Sequence, residues 1–136
     1  MGGCDGELAN CGVGASELVA TVLGITAARP EANVVAKGNC GVPQYVDGHI
    51  HYSGTPELMA DYARLALDAG AKIIGGCCGT SPEHLAAMRR SLESYMPGER
   101  PSVETIETRL GPVSALAKGF DAAAAGAVRR ERRGRA

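Results

Sequence analysis

The stretch Gly75-Gly76-Cys77-Cys78-Gly79-Thr80 places two adjacent cysteines between glycines. It follows the apolar run Lys72-Ile73-Ile74 and precedes a helix-start pattern, Ser81-Pro82-Glu83-His84. Neighbouring side chains of an extended strand point to opposite faces, so these cysteines act together only if the backbone turns between them. The flanking glycines permit that turn because glycine adopts backbone angles that other residues avoid. The stretch therefore indicates a strand, a tight turn and a helix, with two thiols on one side.

Paired thiols of this kind are typical of a metal site. Zinc binds thiolates at about 2.3 Å in a tetrahedron, which would set the two sulfurs roughly 3.8 Å apart. A third ligand has to come from elsewhere, and Cys11 in Asn10-Cys11-Gly12 also stands where a strand gives way to a helix. The residues alone therefore favour one zinc ion held by Cys11, Cys77 and Cys78.

The composition is that of an ordinary globular domain. The chain has 136 residues, 45% of them apolar, which is enough for one domain with a modest core. A formal net charge of −1 argues against nucleic acid or a membrane surface as a partner. No signal-peptide pattern and no apolar run of about 18 residues is present, so we expect a cytoplasmic protein with reduced thiols. Cysteine clusters in that compartment indicate metal binding or catalysis.

Three strand–helix units are predicted in the first two thirds of the chain. Their strands are expected at 1–9, 33–37 and 72–75, and their helices at 16–28, 55–69 and from 81 to just before Pro97. Ser16 is the expected N-cap of the first helix, and residues 38–54 are expected to form a long loop. Repeating units of this size imply parallel strands, which would place all three cysteines at one rim of the sheet.

The character of the sequence changes after Pro97. We assign residues 1–97 to the α/β domain and residues 98–136 to an Ala- and Arg-rich tail. Within this tail, residues 101–110 have a mixed pattern, Gly111-Pro112 marks a break, and the basic end is expected to be partly helical or disordered.

The motifs Asn10-Cys11-Gly12, Asn39-Cys40-Gly41 and Gly75 to Thr80 resemble those of the homocysteine S-methyltransferase family. That family includes betaine–homocysteine methyltransferase and the homocysteine-binding module of cobalamin-dependent methionine synthase. The resemblance covers about Gly3 to Leu92, with Cys40 standing where the family usually has an alanine. A weaker likeness to members assigned to betaine is carried by Tyr45 to Tyr52.

The resemblance implies a (β/α)8 TIM barrel, of which this chain carries about three C-terminal β/α units. It implies that Cys11, Cys77 and Cys78 bind zinc and that the homocysteine thiol enters as a further ligand. The thiolate would then take a methyl group from a donor, with betaine as the best guess, to give methionine. The amides of Asn10 and Asn39 would orient a ligand thiolate or bind the amino-acid end of the substrate.

Other polar residues have more modest expected roles. Cys40 is expected to be structural, with an extra metal ligand as the alternative, and Cys4 is expected to lie too far away to be a ligand. Thr80 is expected to donate to the backbone or to a thiolate, or to cap the helix with Ser81. His49 and His51 are better placed to line a donor pocket than to bind metal.

Two further functions stay open beside the enzyme. One is a zinc- or thiol-binding module without catalysis, and the other is a subunit that completes a barrel with a separate N-terminal half. Three strands leave two open sheet edges, which predicts self-association or such a partner.

Overall fold

The computed structural model describes residues 6–12 and 14–114, with the backbone alone for Cys11. Cys4 and the segment from residue 115 onward, including the predicted basic tail, lie outside the described residues. The elements in chain order are β1 (Gly6–Cys11), α1 (Ala15–Ala28), β2 (Asn33–Gly38), β3 (Pro43–Val46), β4 (His49–Tyr52), α2 (Pro56–Asp68), β5 (Ala71–Gly76), α3 (Pro82–Glu93) and α4 (Val103–Leu110).

Strands β1, β2 and β5 form one parallel sheet in the order β1-β2-β5. The register pairs Cys11 with Gly38 and Gly38 with Gly76, so the three strands end level with one another. The predicted parallel α/β arrangement is confirmed for these three units. Because β5 ends at Gly76, the double cysteine begins at the same rim at which β1 ends.

The helices cover one face of this sheet. Val34 and Ala36 of β2 point into the core, where they are fully buried among the apolar residues of α1 and α2. The opposite face carries Leu8 and Ile73, which are 60% and 61% exposed. Within residues 6–12 and 14–114 no helix covers this second face, which is therefore named the helix-free face. Parallel sheets are normally covered on both faces. None of the helices within the described ranges is long and apolar enough to span a membrane.

The segment expected as a long loop contains an antiparallel β-hairpin. Strands β3 and β4 pair from Pro43 with Tyr52 to Val46 with His49, and a two-residue turn connects them. Asp47 and Gly48 have φ angles of 50° and 79°, the positive values that such tight hairpin turns require. The loop prediction was therefore wrong over 43–52, because the Asp-Gly pair between two short strand-forming runs is itself a hairpin signal.

Two features near the ends of the helices also differ from expectation. Helix α1 is preceded by Gly14 rather than capped by Ser16, whose buried hydroxyl donates instead to the carbonyl of Pro112 at 3.0 Å. The segment with a mixed pattern forms α4, which begins after the N-cap Ser102 and buries Ile106 completely. The connection after α4 thus returns to the start of α1.

Candidate metal centre

The double cysteine lies in a tight turn between β5 and α3. The Sγ atoms of Cys77 and Cys78 are 3.8 Å apart, the distance expected for two sulfurs on one side of the turn. Gly79 has a φ of +75°, which side chains rarely tolerate, and a Cβ there would lie 2.4 Å from the ring of Tyr52. Glycine is therefore required after the cysteines for both conformational and steric reasons.

The backbone after β2 fixes the position of this turn. The N–H of Cys77 donates to the carbonyl of Gly38 at 2.8 Å, and the N–H of Cys40 donates to the carbonyl of Cys78 at 2.9 Å. These bonds continue the parallel ladder beyond the ends of β2 and β5. The two thiols are consequently attached to the sheet rather than to a loose loop.

Asn39 connects the double cysteine to the end of β1. Its side chain is only 2% exposed; Nδ2 donates to the carbonyl of Gly12 at 2.7 Å, and Oδ1 accepts from the N–H of Cys78 at 3.2 Å. The role of Asn39 in binding substrate stays a prediction, whereas its contacts with both cysteine-bearing segments are observed.

The other two predicted site residues lie at the end of β1. The backbone of Cys11 is level with Gly38, but its side chain lies outside the described residues, so its role as a ligand stays a prediction. Asn10 is exposed and pairs in register with Lys37, and its role as a substrate ligand also stays a prediction. Among the side chains that the structure does describe, no group of three His, Cys, Asp or Glu residues gathers around a point.

Cys40 is buried beneath the rim. Its Sγ donates to the carbonyl of Gly54 at 3.0 Å, and burial raises the pKa of the thiol above its ordinary value. A Cβ on Gly54 would lie 2.7 Å from this sulfur, so the two residues pack without space between them. These contacts agree with the structural role expected for Cys40.

The hairpin formed by β3 and β4 rises beside the double cysteine, and His49 and His51 are exposed on β4. The base of the hairpin is held by His84, whose Nε2 lies 3.0 Å from the carbonyl of Gly54. The other ring nitrogen of His84, Nδ1, accepts from the N–H of Ser81 at 3.1 Å. A neutral imidazole protonated on Nε2 satisfies both contacts, so His84 is a capping residue that also anchors the hairpin.

The sequence did not reveal the role of the Tyr62 hydroxyl. This fully buried hydroxyl accepts from the N–H of Gly38 at 3.0 Å and donates to the carbonyl of Gly75 at 3.2 Å. Burial raises the pKa of Tyr62 well above its ordinary value, so the hydroxyl keeps its proton. The signal that could have found these bonds is that a buried phenol needs a hydrogen-bond partner.

A comparison with known protein families finds one family whose sequence model covers the part of the chain that carries the rim. The family model described as homocysteine S-methyltransferase matches residues 3–92 of the chain. The match covers β1 and extends into α3, so it includes Asn10-Cys11-Gly12, Asn39 and the double cysteine. The resemblance drawn from the motifs is thereby confirmed. The chain belongs to the homocysteine S-methyltransferase family.

Proposed function

We propose that this chain supplies the zinc- and homocysteine-binding part of a homocysteine S-methyltransferase with a (β/α)8 barrel, and that betaine is the methyl donor. The observation that carries the proposal is the 3.8 Å separation between the Sγ atoms of Cys77 and Cys78. Two thiolates bound to one zinc ion at about 2.3 Å lie at roughly this distance from each other. Membership of the family supports homocysteine as the methyl acceptor.

The residues at the rim suit a thiolate-rich zinc site. Cys11 is the proposed third ligand, because β1 ends there and the register brings that end level with the end of β5. The hydroxyl Oγ1 of Thr80 is buried and has no hydrogen-bond partner among the described residues. A buried hydroxyl without a partner costs free energy. We expect a thiolate or a substrate atom to accept a hydrogen bond from this hydroxyl.

The proposed reaction transfers one methyl group to sulfur. Cys11, Cys77 and Cys78 would hold the zinc ion, which would supply an open coordination position and keep the homocysteine sulfur deprotonated at neutral pH. The homocysteine sulfur forms a new bond to the methyl carbon as the bond between that carbon and the donor nitrogen breaks. The electron pair of the broken bond stays on nitrogen, so betaine leaves as the neutral tertiary amine N,N-dimethylglycine and homocysteine becomes methionine.

The hairpin of β3 and β4 is proposed to form one side of the binding site for the methyl donor. The register places Pro43, Tyr45, Ile50 and Tyr52 on one face, because Pro43 pairs with Tyr52 and Tyr45 with Ile50. Tyr52 packs against Gly79, directly after the double cysteine. Aromatic faces attract quaternary ammonium groups, so this face suits a trimethylammonium donor.

Metal content of the purified chain tests the proposal. We expect about one zinc ion per chain, the stoichiometry of a site with three protein ligands. The double variant Cys77→Ser/Cys78→Ser should lose the zinc, and Cys4→Ser, which changes a cysteine outside the proposed site, should retain it. A folded wild-type chain without zinc, or a double variant that keeps the zinc, would contradict the proposal.

An assay with homocysteine and labelled betaine then separates the enzyme from the non-catalytic module. Transfer of label to methionine that requires Cys77 and Cys78 supports the enzyme. Zinc binding without transfer by the chain, either alone or with added barrel strands, supports a module that binds zinc without catalysis.

A second candidate function is that of a barrel-completing subunit, and the helix-free face of the sheet favours it. Leu8, Val35 and Ile73 lie opposite one another across β1, β2 and β5, and the first and last of them are largely exposed. A cleft of about 470 Å³ beside β5 is lined mainly by the apolar side chains of Ile74, Leu85, Met88 and Leu92. Further β/α units packed on these surfaces would cover both.

A further inference from the structure

Two segments distant in the chain must be held together for the proposed zinc site to form. One follows β1 and contains Cys11, and the other follows β5 and contains Cys77 and Cys78. They are separated by β2, whose end lies between them in the sheet. Any group that fixes their relative position must therefore come from the segment after β2 or reach across it.

Asn39 is placed to connect the two cysteine-bearing segments. It directly follows β2, and its one side-chain amide bonds to both flanking segments, at the carbonyl of Gly12 and at the N–H of Cys78. The two bonds need a donor and an acceptor on the same short side chain, so aspartate would satisfy only one of them. The side chain is also almost completely buried, where each bond is stronger than in water.

The two residues beside Asn39, Gly38 and Cys40, are also held by hydrogen bonds. The hydroxyl of Tyr62 bonds to Gly38 of β2, the residue before Asn39, and to Gly75 of β5. The backbone of the flanking Cys40 is bonded to Cys78. The backbone that carries the amide thus has little freedom to move, and the amide fixes the segments rather than following them.

We infer that Asn39 is a positioning residue, which sets the distance between Cys11 and the double cysteine through the backbone and thereby preorganises the ligand set. The inference rests on the proposed zinc function, but the positioning itself does not depend on bound metal. Residues that orient metal ligands from outside typically contribute 10- to 100-fold to metal affinity.

The test compares Asn39→Asp with Asn33→Asp, which makes the same change of charge on the same strand. Asn33 lies at the far end of β2, where its exposed Oδ1 accepts from Nζ of Lys72, and an aspartate can keep that contact. We expect Asn39→Asp to lower the affinity for Co²⁺ by at least about tenfold and to weaken the thiolate-to-cobalt absorption. Asn33→Asp should leave both unchanged.

A second measurement uses the metal-free chain. Dibromobimane joins thiols that lie close together, and peptide mass spectrometry identifies which cysteines are joined. All chains carry Cys78→Ser, which removes the competing cross-link between Cys77 and Cys78, whose sulfurs lie 3.8 Å apart. We expect rapid joining of Cys11 to Cys77 in this chain and with Asn33→Asp added, and several-fold slower joining with Asn39→Asp added. Asn39→Ser, which is smaller and uncharged, should be slow as well and gives the answer if the aspartate variant does not fold.

The outcomes separate this inference from the proposed function. A wild-type chain that binds no cobalt overturns the proposed function, while the cross-linking rates still decide the role of Asn39. Equal cross-linking in the Cys78→Ser chain and with either Asn39 substitution added overturns the inference. Absence of a Cys11 cross-link in the Cys78→Ser chain with Asn39 intact also overturns it, because the two segments would then not be held together.

Discussion

The hydroxyl of Tyr62 accepts a hydrogen bond from the backbone N–H of Gly38 at 3.0 Å. This bond joins a side chain of α2 to the last residue of β2, and Asn39 is the next residue in the chain. The same hydroxyl donates to the carbonyl of Gly75, so it connects β2 to β5 two residues before the double cysteine. The rim is therefore supported from the helical layer as well as along the strands.

Removing this hydroxyl should destabilise the whole domain. Tyr62→Phe leaves a buried N–H and a partly buried carbonyl without that partner, and we expect the free energy of unfolding to fall by about 1–3 kcal/mol. Urea denaturation measures the change. The control is Tyr45→Phe, on a ring that is 78% exposed, which should change stability by less than about 0.5 kcal/mol. Equal effects of the two substitutions would contradict the bridging role.

Gly79 should tolerate a methyl group much less well than Gly48. Both have a positive φ, of +75° and +79°, so alanine at either position meets the same conformational strain of about 1–2 kcal/mol. A Cβ at Gly48 meets no atom within 4 Å, whereas one at Gly79 would lie 2.4 Å from Cγ of Tyr52. We expect Gly79→Ala to cost about 1–3 kcal/mol more than Gly48→Ala in urea denaturation. Similar losses would show that Tyr52 does not pack on the turn.

Cys40 should be the least reactive of the three described thiols. It is fully buried and its raised pKa lowers the thiolate fraction, whereas Cys78 is exposed. We expect iodoacetamide to modify Cys40 at least about tenfold more slowly than Cys78 in the folded, metal-free chain. Peptide mass spectrometry of timed samples measures both rates, and equal rates would contradict the buried position.

The same burial predicts a dependence of stability on alkaline pH. Because the folded-state pKa of Cys40 lies above the ordinary value of 9.0, the folded chain holds this proton more tightly than the unfolded chain. Its contribution to stability is present below that value and is lost as pH rises through the folded-state pKa. Urea denaturation between about pH 7 and pH 10 should show a smaller decrease in Cys40→Ala than in the wild type. Parallel pH profiles would contradict this assignment.

The helix-free face should drive association. Replacing Leu8 and Ile73 with glutamate puts charge on this face without disturbing the core, because both side chains are more than half exposed. We expect the wild-type chain to self-associate or to bind further barrel strands, and the double variant to lose this binding, as measured by sedimentation equilibrium. Tyr45→Glu, which charges the hairpin instead, is the control. A wild-type chain that stays monomeric and binds no such strands would contradict the role of this face.

Much of the architecture was readable from local patterns. The apolar periodicity and the glycine and proline breaks predicted three strand–helix units, and the parallel sheet confirms them. The prediction of a long loop fails at the hairpin, although Asp47-Gly48 between two short strand-forming runs signals a tight turn. Helix α4 was missed because it is short, and burial of Ile106 and Leu110 against the rest of the domain stabilises it.

The sequence by itself determined the family and the position of the double cysteine at a strand end. Both follow from short motifs, because the residue types and their order within each motif can be recognised without knowing how the chain folds. Only the tertiary structure decided that Asn39 bonds to Gly12 and Cys78, and that Tyr62 bonds to Gly38 and Gly75. Hydrogen bonds between residues far apart in the chain depend on strand register and on how a helix packs over it, and no local pattern specifies either.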